Sequence, residues 1–163
     1  MRRGRDYHLA PATIRLMRRR SRLLAIPAGP AVAGLVSGAL ILISVFLPWY
    51  AANLGPPASS GTASGWDATA IAKGVLGLGV IWLLMSGLLL ADHLDAYRVD
   101  SRTAEALGWL IAGCALLAGA LVAYRLLRPP EPADFLSRDF GLFLALVAAA
   151  IGVSAGLAQA SRR

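Results

Sequence analysis

Four stretches of the chain stay apolar for about 20 residues, the length a helix needs to cross about 30 Å of hydrocarbon. They run over residues 30–48, 70–91, 104–127 and 140–160, and each is built of Leu, Ala, Gly, Val and Ile with no charge near its centre. The polar interruptions between them are short. The pattern predicts an all-α membrane protein in which four transmembrane helices form a bundle over residues 30–160. A basic segment, 1–29, precedes the bundle, and residues 161–163 follow it as a tail.

Composition agrees with that pattern. Of the 163 residues 57% are hydrophobic and only 15% charged, against about 25% charge in an average soluble domain. A chain of this length with so much apolar surface needs lipid as its solvent. It is expected to be a multi-pass protein of the plasma membrane, with the bilayer itself as its first partner.

The formal charge of +7 is concentrated near the start, where Arg2, Arg3, Arg5, Arg15, Arg18, Arg19, Arg20 and Arg22 all fall. Arg98 and Arg102 lie between the second and third runs, and Arg162 and Arg163 close the chain. Lys73, Arg125, Arg128 and Arg138 fall on the other side, the arginines offset by Glu131, Asp134 and Asp139. Lys and Arg near span ends stay cytoplasmic, so both termini are expected in the cytoplasm. A signal peptide also begins with a basic region before an apolar one. Here, however, the apolar run exceeds the usual 7 to about 15 residues, and Pro48-Trp49-Tyr50 stands where a small-residue cleavage site would be. A retained first span is expected.

Within residues 11–27, Ile14, Met17, Ser21 and Leu24 recur at helical spacing with Arg15, Arg18, Arg19 and Arg22 on other faces. The segment suits an interfacial helix on anionic lipid and, equally, a basic tail that only sets orientation. Nucleic-acid binding is not expected, because neither aromatic interleaving nor a fold motif accompanies the charge. Fifteen of the sixteen basic residues are Arg, a bias that GC-rich coding produces and that says little about phosphate recognition.

The longest connection follows the first run. It opens Leu47-Pro48-Trp49-Tyr50, passes through Gly55-Pro56-Pro57-Ala58-Ser59-Ser60-Gly61 and ends Ser64-Gly65-Trp66-Asp67-Ala68. Pro48 breaks the helix, so Trp49, Tyr50 and Trp66 are expected at headgroup depth, where an apolar ring and a polar N–H or O–H are both satisfied. Ser64 or Asp67 is expected to cap the second span. The Gly, Pro and Ser stretch between reads as a flexible arch on the outer face. Trp49, Tyr50, Trp66 and Asp67 are therefore the candidate anchor and interface residues.

Small residues recur four apart at Gly34 and Gly38 and at Ala148, Gly152, Gly156 and Ala160. Such rows let helices approach at backbone distance where lipid supplies no hydrophobic drive. With four helices in one small chain, packing inside the bundle is favoured over packing against another chain.

Chemistry-bearing groups are sparse. Lys73, about one turn inside the second run, is expected to snorkel outward. Asp92, His93 and Asp95 lack metal-loop spacing and read as a solvated helix end. The lone Cys114 reads as a small buried hydrophobe. No nucleophile elbow, phosphate-cradling loop, zinc helix or dinucleotide fingerprint occurs, so no enzyme activity, metal or cofactor is expected.

The four runs, with Phe46-Leu47-Pro48-Trp49-Tyr50 closing the first and Ser64-Gly65-Trp66-Asp67-Ala68 opening the second, resemble a group of small four-helix membrane proteins common in actinobacteria. The resemblance covers the first two spans and their loop. It implies a four-helix protein of the plasma membrane and carries over no activity. The functional expectation is a non-catalytic accessory or assembly subunit that meets a membrane protein partner, or its own copies, through helix faces and the outer loop. A small oligomeric channel or transporter component is the alternative.

Overall fold

The computed structural model describes residues 28–52, 61–131 and 136–161. In chain order the elements are α1 (Gly29–Phe46), β1 (Pro48–Ala52), β2 (Gly61–Ser64), α2 (Gly65–Ala68), α3 (Ala70–His93), α4 (Ser101–Leu127), β3 (Leu136–Arg138) and α5 (Phe140–Ala160). The basic segment with its expected interfacial helix over 11–27, most of the arch and Arg162 and Arg163 lie outside the described residues.

Helices α1, α3, α4 and α5 have 18, 24, 27 and 21 residues, about 27 to 40 Å at a rise of 1.5 Å per residue. By length and composition each is able to cross a membrane, as in a multi-pass membrane protein. Their ends fall within three residues of the apolar runs, and the reasons are local. Helix α1 stops at Phe46 because the residue before a proline is pushed out of the helical region; Leu47 has φ −80° and ψ 160°. Helix α3 starts after Thr69, which is extended (φ −161°, ψ 140°) and whose Oγ1 accepts the Ile71 N–H at 3.2 Å.

That cap differs from the expected one. Ser64 caps the single turn α2 instead, where its Oγ accepts the Asp67 N–H at 3.3 Å and donates to Asp67 Oδ2 at 2.7 Å. Asp67 thus closes a Ser-x-x-Asp box inside α2, one extended residue short of α3. At the start of α5 the Asp139 carboxylate accepts the Phe140 N–H at 2.7 Å.

Each of the four helices packs on two neighbours, α1 and α4 both lying against α3 and α5, so the ring order is α1, α3, α4, α5. Ala, Gly and Ser dominate the inside: α5 buries Gly141, Ala145, Ala148, Ala149, Gly152, Ala155, Gly156 and Ala160. Its outside carries Phe140, Phe143, Val147, Ile151 and Leu157. The same inversion holds in α4, with Gly108, Ala112, Ala115 and Ala118 inside and Trp109, Leu110, Leu116 and Leu117 outside. Water would penalise such a surface, whereas lipid favours large apolar groups outward and small residues where backbones meet.

Asp92 and His93 at the end of α3 both engage backbone groups, and Asp92 bridges the α3–α4 turn. Asp92 Oδ1 accepts the Val99 N–H at 2.9 Å, His93 Nδ1 lies 2.9 Å from the Leu89 carbonyl, and Asp95 takes a left-handed φ of 57°.

At the other end of the bundle the connections add what the apolar pattern did not predict, a three-stranded antiparallel sheet in the order β2-β1-β3. Tyr50 pairs with Ala63 on one side and Arg138 on the other, and Ala51 with Thr62 and Ser137. The end of the expected arch, Gly61 to Ser64, is therefore strand.

Candidate functional site

The sheet end is where the chain gathers its polar and aromatic groups, and it is built around Trp49. In α1 the Ser44 carbonyl would ordinarily receive the N–H of residue 48, but proline has none. The Trp49 indole Nε1–H takes its place, donating to Ser44 O at 2.7 Å, with the Leu47 N–H adding a bond at 3.2 Å. Register slips between Pro48 and Tyr50. The bulge turns two consecutive side chains, Trp49 and Tyr50, toward the bundle where a regular strand would alternate them.

Trp49 and Tyr50, expected at headgroup depth, are enclosed by the protein itself, 0% and 1% exposed. Space for the indole comes from two glycines at the starts of other helices. A Cβ on Gly65 would lie 2.6 Å from Trp49 Cε2, and one on Gly141 would lie 2.7 Å from the Pro48 carbonyl and 3.0 Å from Trp49 Cδ1. Backbone bonds complete the seat, Gly65 N–H to Leu47 O at 3.3 Å and Asp139 N–H to Trp49 O at 2.9 Å.

Tyr50 links the sheet to the far end of α4. Its hydroxyl donates to the Arg125 carbonyl at 3.0 Å, and Arg125 Nη2 donates to Thr69 Oγ1 at 2.6 Å. Arg138 Nε donates to the Leu126 carbonyl at 2.7 Å. Two cations at a helix C-terminus suit the local dipole. Thr69 thus holds one arm of the guanidinium, while among the described residues the buried Arg125 Nε has no hydrogen-bond partner. Burial pushes the Tyr50 phenol above its ordinary range, and the positive charges of Arg125 and Arg138 pull it back in part.

Trp66 is placed differently. It is 42% exposed, its ring stacked on that of Phe46 with centroids 6.1 Å apart at 25°, and Lys73 Nζ lies 5.0 Å from its ring centroid. Of the three candidate anchor aromatics, this one faces outward. Asp67, also exposed, belongs to the Ser64 box just described.

The four glycines proposed for packing all face other helices of the same chain. Positions where a Cβ would stand meet Ser86 Oγ for Gly34 at 2.7 Å, Leu83 for Gly38 at 3.2 Å, the Trp82 ring for Gly152, and Ala112 N for Gly156 at 2.5 Å. Trp82 and Ser86, one turn apart on α3, are fully buried, and among the described residues Trp82 Nε1 and Ser86 Oγ have no hydrogen-bond partner. A tryptophan inside an apolar run carried no signal of its inward direction.

Two shallow apolar grooves flank α5. One of about 500 Å³ lies against α1 beside Gly29, Ala33, Ser154 and Ala158, and one of about 270 Å³ lies against α4 beside Gly119, Ala123 and Val153. Among the described residues no three His, Cys, Asp or Glu side chains gather where a metal could sit. Comparison with protein-family models and with curated proteins finds no match for the chain.

Proposed function

We propose that this chain is a non-catalytic subunit of the plasma membrane, an accessory or assembly protein with both termini in the cytoplasm and the sheet on the outer side. The observation that carries the reading is the sheet itself, seated on the bundle by Trp49 and Tyr50 and ending in two edge strands. In β2, Gly61 and Thr62 are exposed, and in β3, Ser137 and Arg138 are. Edge strands present unpaired backbone groups in a row, a ready template for a partner's extended segment. The grooves beside α5 offer helix faces of the small-residue kind that membrane helices use to meet. A sheet seated in this way presents surface more than it performs chemistry.

Mild-detergent purification followed by mass spectrometry tests the proposal. One reproducible membrane partner is expected, and charging the edges with Thr62→Lys and Ser137→Lys should release it without lowering the melting temperature. Recovery of the chain alone as a homo-oligomer of fixed size would favour the channel reading instead.

A further inference from the structure

Where α1 ends and α3 begins, one cluster plays no part in the sheet described above. Phe46, the last residue of α1, is 61% exposed, and its ring lies stacked against Trp66. Lys73, the only lysine of the chain, holds its ammonium 5.0 Å from the centre of the Trp66 ring. The helix gives no reason for a cation there. Lys73 stands in the first turn of α3, where the unpaired N–H groups make the local field positive and a carboxylate, not an ammonium, is favoured. The nearest acid in sequence, Asp67, already receives the Ser64 hydroxyl, and among the described residues Lys73 makes no salt bridge.

The surroundings specify what would complete the site. An ammonium carries three N–H donors, and the face of Trp66 engages its charge from one side only. An oxygen anion fits the rest. One turn further along α3, on the same face as Lys73, a Cβ on Gly77 would meet nothing within 4 Å, and beyond it the exposed Val80, Ile81 and Leu84 continue the apolar surface. A ligand lying here would thus have an anionic head beside Lys73, a body against two aromatic rings and a hydrocarbon tail over the gap at Gly77. We infer that Phe46, Trp66, Lys73 and the open face at Gly77 form a binding site for one phospholipid, its phosphate on the Lys73 ammonium. The inference needs membrane insertion only and is independent of the subunit reading.

The test uses the full chain carrying Trp109→Phe, which removes the other exposed tryptophan, in phosphatidylcholine vesicles. A minority lipid brominated near the carbonyl is added as phosphatidylglycerol, phosphatidylcholine or a phosphate-free diglucosyl diacylglycerol, and quenching of the Trp66 component, defined by its loss in Trp66→Phe, is read. The brominated phospholipids should occupy the site about fivefold more than the glycolipid, the enrichment one lysine provides at a phosphate surface. Lys73→Gln should abolish the difference and Lys73→Arg restore it, with helical circular dichroism unchanged in both. Equal quenching by all three lipids, or a preference that survives Lys73→Gln in a folded protein, would overturn the site. Loss of the preference in excess inorganic phosphate would overturn the lipid as its occupant.

Discussion

The benzo ring of Trp82 on α3 fills the space left by Gly152 on α5, so closely that a methyl group on Gly152 would overlap it. Both residues are fully enclosed, and the pair sets the separation of two helices that are not ring neighbours. Gly152→Ala should therefore destabilise the bundle by about 1–3 kcal/mol through overpacking. Trp82→Leu, which empties the space, should make Gly152→Ala nearly harmless in the double variant, a coupling that melting in detergent resolves. Strictly additive losses would mean that the two do not touch.

Trp49 and Trp66 look alike in the sequence and should behave differently. Trp49→Phe keeps an aromatic ring but removes the indole donor from the Ser44 carbonyl, which retains only the longer Leu47 N–H bond, a loss of about 0.5–1.5 kcal/mol before the space left by the smaller ring is counted. Trp66→Phe, at an exposed position, should stay within about 0.5 kcal/mol. Thermal unfolding of the two variants in one detergent ranks them, and a larger loss at Trp66 contradicts the seat described for Trp49.

The Tyr50 phenol supplies a pH dependence. Its folded pKa is raised above the ordinary value of about 10, burial outweighing Arg125 and Arg138. A group raised in the folded state contributes stability that is complete below its unfolded pKa and is lost as pH climbs toward the folded one. Stability should thus be level near neutrality and fall above about pH 10, as the hydroxyl that donates to the Arg125 carbonyl ionises. Tyr50→Phe should lower stability at pH 7 and flatten the alkaline fall. An unchanged alkaline limb in Tyr50→Phe assigns that loss to other groups.

Orientation is expected to follow the split of twelve basic residues against four, with the N-terminal eight in control. In a Cys114→Ser background, a cysteine at the exposed Thr62 should react with a membrane-impermeant reagent added to intact cells, while one at the buried Ala145 should not. Replacing the eight arginines should mix the orientations. Labelling of Thr62→Cys only after cell lysis would place the sheet in the cytoplasm and reverse the topology.

The length and continuity of the apolar runs determined the four long helices to within three residues, because a helix able to cross lipid must satisfy its backbone internally along its whole length. Proline and extended residues mark its ends in the sequence itself, as Pro48 does for α1. Ser64 with Asp67 was legible as a cap for the same local reason, although Thr69 starts α3. What the runs could not show was direction around each helix. All faces of α3 are apolar, so nothing local distinguishes the buried Trp82 from the exposed Leu84, and only the glycine opposite on α5 decides it. The sheet was equally hidden, since strands of three to five residues rich in Ala, Gly and Ser have no two-residue alternation, and their pairing joins Ala51 to Ser137 across 86 positions. Trp49 shows the division most plainly. Its residue type and its place after Pro48 predicted an aromatic at the end of a span; the missing N–H of Pro48, the bulge and the bare backbones of Gly65 and Gly141 turned that ring inward, and those groups meet only when the helix ends have come together.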